Sequence, residues 1–184
     1  GVLYNPVTAE TFTAAKGEGA QLNGEPIRCS TKENVKDMVI LNSRSETRRG
    51  LWEPYDGTFG ELRAIGSVAY KLGLTAAGKA DIFASLRPKS EWDICAGNCI
   101  INEAGGKLID LYGKPRKYNL ENTLLEPGLI AGDVGAVYKT FLILKKRLDT
   151  NKLYCVTRGH DIVCNSSLRC CMMRRIPGKT RRLI

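Results

Sequence analysis

No run of apolar residues in this chain is long enough for a membrane span or for the core of a secretory leader. Neither insertion into a membrane nor export is therefore expected. Histidine occurs once, at His160, and no Cys-x-x-Cys pair is present, so the tight chelate turn of a zinc finger is missing. There is no initiator methionine and no capped helix before the strand-like run Val2-Leu3-Tyr4, and an upstream segment is expected to have been cut away. A basic excess is also missing from most of the chain, although the net charge is +9. Residues 1–148 hold 20 Lys and Arg against 17 Asp and Glu, whereas residues 149–184 hold eight against two. The body has the balance of an ordinary enzyme, and the nucleic-acid signal belongs to a short tail.

What is present reads as alternating strands and helices. Residues 1–28 predict two strands about the Asn5-Pro6 turn, a Gly-rich loop and a further short strand near Ala20 to Leu22. Lys32 to Lys36 reads as a polar connector. Met38-Val39-Ile40-Leu41 is a continuous apolar run, as in a strand buried on both faces, and it stops at Asn42-Ser43-Arg44-Ser45. Open α/β sheets bind ligands where such strands end. A strand at Arg63 to Ile65 enters a helix capped by Ser67, whose stripe Val68, Leu72, Thr75, Ala76 ends at Gly78. Further strands are predicted at Ala80 to Ala84, Lys107 to Leu111 and Gly128 to Gly132, with a loop at Leu86 to Ser90 and a closing helix from Val134 to Leu148. The alternation indicates a layered α/β fold.

Of the seven cysteines, Cys95 and Cys99 lie four apart on one helical face. No Cys or His partner stands at usable spacing, so buried, reduced thiols and a cytoplasmic location are expected. Beyond Leu148 periodicity fails, and four cysteines, His160 and the basic run Arg174 to Arg182 follow. A disordered or non-native extension is one reading of residues 149–184, and a zinc- or RNA-binding tail using Cys155, His160, Cys164 and Cys170 is the other.

The chemistry concentrates in Glu91-Trp92-Asp93-Ile94-Cys95-Ala96-Gly97 with Asn102-Glu103-Ala104-Gly105-Gly106 downstream. This places Asp93 at the start of an apolar helix, where its oxygens can meet a hard cation and the free N–H groups favour a phosphate. Plain helix capping is the competing reading of that residue.

The Trp-Asp-Ile-Cys-Ala-Gly run closely resembles the C-terminal signature of the inositol monophosphatase family of magnesium-dependent phosphatases. Gly1 to Pro6, Phe12 to Ala20 and Leu22-Asn23-Gly24 resemble the strands just upstream, and Gly66 to Asp81 and Leu86 to Trp92 the helix and loop leading into the signature. The resemblance implies the layered α/β sugar-phosphatase fold. Residues 1–28 would then end an N-terminal metal-binding domain, 38–148 would form a C-terminal α/β domain with a mixed sheet and flanking helices, and 149–184 would be the tail. It also implies Mg2+ as cofactor, with Asp93 the one metal carboxylate in this chain. The family's earlier Asp-Pro-Ile/Leu-Asp-Gly-Thr motif is absent, and Tyr55-Asp56-Gly57-Thr58 reads as a turn.

For substrate, the resemblance points to Arg44, Gly66, Ser67 and Lys71, and within the family to the 3'(2'),5'-bisphosphate nucleotidases. There a lysine at the position of Lys71 answers a second phosphate, and the loop Ser43-Arg44-Ser45-Glu46 is similar, with Glu46 where a histidine often follows the serine. A solvated surface lysine is the plain alternative. Arg87 and Lys89 are read as loop cations near the phosphate pocket and Glu91 as a surface residue. The implied function is hydrolysis of a small phosphate ester such as 3'-phosphoadenosine 5'-phosphate. Inositol 1-phosphate is the alternative substrate, and an inactive fragment or pseudoenzyme with a phosphate-binding surface is the alternative of another class. The isolated chain, with one ligand, is expected to be inactive. Neither a membrane nor a nucleic-acid partner is expected, and a homodimer is left open for the full-length form.

Overall fold

The computed structural model describes residues 1–156, with side chains through Arg147. Its first sheet is an antiparallel meander of β1 (Val2–Asn5), β2 (Glu10–Ala15), β3 (Gly19–Leu22) and β4 (Glu25–Ile27). The sequence reading missed β4. Its signal is Asn23-Gly24, whose φ values of 52° and 88° make the two-residue hairpin that pairs Leu22 with Glu25.

Next come β5 (Val39–Ser43), α1 (Arg44–Thr47), β6 (Glu61–Ile65), α2 (Val68–Ala76) and β7 (Ile82–Ser85). They are followed by β8 (Lys89–Ser90), α3 (Glu91–Glu103), β9 (Gly106–Asp110), β10 (Leu124–Leu125), β11 (Leu129–Asp133) and α4 (Val134–Val156). Residues 89–90 thus form a short strand with β10 where only a loop was expected. The helix α4 runs past the expected end at Leu148 to Val156, and the cysteine-rich and basic run beyond lies outside the described residues.

The second sheet has the order β6-β5-β7-β11-β9, with β5 parallel to both β6 and β7 and β11 antiparallel to β7 and β9. Its central strands β5, β7 and β11 are buried on both faces, as a continuous apolar run requires, whereas the edge strand β6 is partly exposed. Leu41 and Phe83 join α2, α3 and the first sheet in one core, while Ile40, Ile82 and Ile130 face Trp52, Tyr55 and α4 in another. The layers from one side to the other are therefore meander, helix pair, mixed sheet and outer helices.

Close approach in the helix layer depends on Gly97. A Cβ there would sit 2.4 Å from Leu72 Cδ1, so α2 and α3 pack backbone to side chain. Glu10 ties the meander to α2: it accepts from the Tyr70 hydroxyl at 2.7 Å and pairs with Lys79. The hydrogen bonds from Lys79 and Tyr70 lower its pKa from 4.5 to about 2. Because the folded state holds the carboxyl below its ordinary value, this stabilisation is complete above pH 4.5 and disappears as pH falls through about 2. Glu10→Gln is expected to cost about 1–2 kcal/mol at neutral pH, Lys79 being half exposed, with the gap to the parent closing in acid. Urea melts across pH 2–7 measure it; a gap independent of pH would contradict the assignment.

Candidate active site

The chain leaves β5 toward one face of the sheet, through α1 and the Trp52–Tyr55 turn, and leaves β6 toward the other, through α2. Opposite departures from neighbouring parallel strands open a crevice at their C-terminal ends, the place where α/β sheets take ligands. The register sets Ser43 beside Ile65, so Arg44 and the Gly66-Ser67 turn are adjacent.

Arg44 lies against Gly66: a Cβ on that glycine would be 3.0 Å from a guanidinium nitrogen, so a larger residue would displace the arginine. Ser67 holds φ at 54°, an uncommon conformation for a residue with a side chain, and its hydroxyl caps α2 by accepting from Tyr70 N at 3.2 Å. Arg44, Gly66 and Ser67 line one cleft of about 630 Å³ with Arg63, Tyr70 and Lys79. Three of the four residues singled out for substrate are thereby brought together.

Lys71 does not line that cleft. Its side chain turns inward and is 2% exposed, its ammonium donating to Ile65 O at 3.1 Å and lying 5.0 Å from the centre of the Phe83 ring. The solvated-surface alternative for Lys71 is thus excluded. Burial lowers its pKa to about 8, against the opposing pull of Glu46.

Glu46 is the residue whose role sequence reasoning missed. It is 1% exposed and accepts from Trp52 Nε1 at 2.9 Å, Ser85 Oγ at 2.6 Å and Leu86 N at 3.2 Å. Lys89 adds an ion pair at 3.6 Å. Lys89 is consequently a mostly buried cation and not an open loop charge, and burial lowers its pKa while Glu46 pulls the other way. Trp52 was the available signal, since a buried indole N–H needs an acceptor. Arg87 is exposed, as expected of it.

Asp93 stands exposed in the first turn of α3, close enough to Lys89 to favour its charge. Among the described residues no three His, Cys, Asp or Glu side chains converge as metal ligands. Residues 1–147 alone therefore do not fit a magnesium site, which takes about six oxygens. Adding millimolar MgCl2 or removing it with EDTA is expected to leave the melting temperature of this chain unchanged; a rise of several degrees with magnesium would overturn that.

One smaller expectation is corrected. Glu91 lies at the surface, as read, and there it accepts from Asn119 N at 2.9 Å and Leu120 N at 3.1 Å and so pins the neighbouring loop. Against the expectation of buried thiols, Cys95 is exposed and Cys99 half-buried, since residue 95 falls on the outer side of α3; among the described residues only Cys29 is a buried cysteine, and burial pushes its thiol up to about 12. Asp56 sits in an exposed turn, as read. No helix among the described residues is long and apolar enough to cross a membrane.

This arrangement matches known proteins in sequence and fold. The chain is 35% identical over 123 residues to inositol monophosphatase 3 of Solanum lycopersicum, covering 61% of this chain and 45% of that protein. It is 33% identical over 142 residues to the fructose-1,6-bisphosphatase/inositol-1-monophosphatase of Thermotoga maritima, covering 73% and 52% respectively. An IMPase structure from Thermotoga maritima superposes with a TM-score of 0.69 at 27% identity, covering 82% of this chain and 56% of that one. The chain thus spans about half the length of the curated relatives it matches. The model of the inositol monophosphatase family matches residues 1–157, which include the crevice, Asp93 and both sheets, and the chain belongs to that family.

Proposed function

We propose that this chain carries the C-terminal portion of a magnesium-dependent phosphomonoesterase whose substrate is a small bisphosphate of the 3'-phosphoadenosine 5'-phosphate type. In this reading residues 1–28 end the N-terminal domain, 38–148 form the C-terminal domain, and the setting is cytoplasmic. The observation that carries it is the cleft in which the Arg44 guanidinium lies against Gly66 beside the Ser67 hydroxyl, with the Lys71 ammonium one layer beneath. Arg44 can meet phosphate oxygens directly, Gly66 lets a ligand approach the backbone, and Lys71 adds positive potential from a poorly solvated position. Magnesium enters through the family alone, with Asp93 as the ligand this chain would contribute.

The test uses a chain completed with the family's N-terminal carboxylates. It is expected to hydrolyse 3'-phosphoadenosine 5'-phosphate in preference to inositol 1-phosphate, and Lys71→Ala should reduce that preference several-fold through lost positive potential, since the buried ammonium does not reach the cleft as a direct contact. An equal loss on both substrates would make Lys71 a structural residue. Asp93→Asn should lower turnover by at least ~100-fold with the melting temperature kept, a direct ligand costing more than the 10–100-fold of its supporting residues. Unchanged turnover would remove Asp93 from the site.

A second reading, inositol 1-phosphate as substrate, is favoured by the names of the relatives, and a preference for it in the same assay would select it. A third, a phosphate-binding surface without catalysis, is favoured for the isolated chain by Asp93 standing alone.

A further inference from the structure

Behind the crevice, positive charge outnumbers negative. Lys71 has one hydrogen-bond acceptor, Ile65 O, for its three ammonium protons. Lys89 donates to Arg87 O and Pro88 O, each at 3.1 Å, and its pair with Glu46 is loose at 3.6 Å. The charges that act on these two lysines, besides each other, are Arg44, Arg87, Glu46 and Asp93. Arg44, Arg87 and Asp93 are exposed, so the buried part of this set is two cations, Lys71 and the mostly buried Lys89, against one carboxylate, Glu46. Glu46 has little left to give, because the indole N–H, the Ser85 hydroxyl and Leu86 N already occupy it. Buried like charges without full compensation are costly, and an arriving anion relieves that cost.

We infer that the end of β7 and the loop Leu86 to Ser90 form an oxyanion subsite in which Lys89 is the direct contact, Lys71 reinforces it from beneath, and Glu46 holds Lys89 in place against the pull of the ligand. The subsite rests on the phosphate-ester reading for its ligand class and names the residue that would meet a phosphate group. Lys89 suits the role better than Lys71, since its side chain is 13% exposed while that of Lys71 is sealed between α2 and the sheet. An anion oxygen at ordinary hydrogen-bonding distance outcompetes a carboxylate 3.6 Å away. Glu46 thus has two opposite effects: it stabilises the fold, and its charge weakens anion binding.

That opposition supplies the test. The 184-residue chain, labelled with 13C at lysine Cε, is titrated at constant ionic strength with inorganic phosphate and, separately, with adenosine 3',5'-bisphosphate. The Lys89 and Lys71 signals are expected to move together and saturate. Saturation with inorganic phosphate indicates a general oxyanion site and saturation with the bisphosphate alone an ester-specific one; both support the subsite. Lys89→Met should weaken binding about tenfold or more, and Lys89→Arg should restore most of it. Glu46→Gln should bind several-fold more tightly although it melts at a lower temperature. Shifts confined to other lysines, parental affinity in Lys89→Met, or weaker binding in Glu46→Gln would overturn the subsite. If Glu46→Gln does not fold, the two Lys89 variants decide. Binding with these dependences but no hydrolysis in the completed chain would remove the phosphatase reading alone, and hydrolysis with no dependence on Lys89 would remove the subsite alone.

Discussion

Glu46→Leu is expected to lower stability by about 3–5 kcal/mol, the range for removing one partner from a buried charged network. The substitution leaves the Trp52 indole N–H, the Ser85 hydroxyl and Leu86 N without their acceptor. It also strands Lys71 and Lys89 with no buried counter-charge near them. Leucine supplies comparable volume, so the loss is electrostatic and not a cavity. Glu46→Gln keeps an acceptor oxygen and should cost less, about 1–3 kcal/mol. Urea unfolding measures both; equal, small losses would show that the network contributes nothing.

Phe12→Ala is expected to cost a similar amount, about 3–5 kcal/mol, by a different mechanism. Phe12 is 0% exposed and is a large side chain through which the meander meets the helix layer. Its ring is edge-on to Tyr70, with centroids 6.3 Å apart, and fits so closely over Gly73 that a Cβ there would be 2.9 Å away. A wall formed by the packed pair α2 and α3 cannot collapse into the vacated space, so the cavity persists. Amide exchange should quicken in β1 to β4 before the second sheet, since Phe12 and Glu10 both anchor the meander from β2. Uniform quickening across both sheets would contradict this.

Legibility in the sequence followed the length of the signal. Long apolar patterns specified β5, α2, α3 and β11 because burial on one or two faces imposes a period that side-chain type reveals. The strand β4 escaped because three residues, Glu25 to Ile27, carry no period, and only the turn before them marks it. Arg44, Gly66 and Ser67 were legible through the family resemblance, and the parallel pairing of β5 with β6 is what brings them side by side. The roles of Glu46 and Lys89 could not be read. Both are charged residues in short segments between the main strands, where exposure is the ordinary outcome, and the network that buries them joins the β5–β6 connection, through Glu46 and Trp52, to Ser85 at the end of β7.

The phosphate-ester site proposed for this chain lies at the C-terminal ends of β5, β6 and β7. Backbone amide shift mapping of the 15N-labelled chain with adenosine 3',5'-bisphosphate tests it most directly. Saturating changes at Ser43 to Glu46, at Gly66-Ser67 and at Ser85 to Lys89 are predicted, with the Gly17–Gly19 loop and the far end of the sheet unmoved. Changes limited to the basic run Arg174 to Arg182, or no saturating change at the three strand ends, would contradict the account.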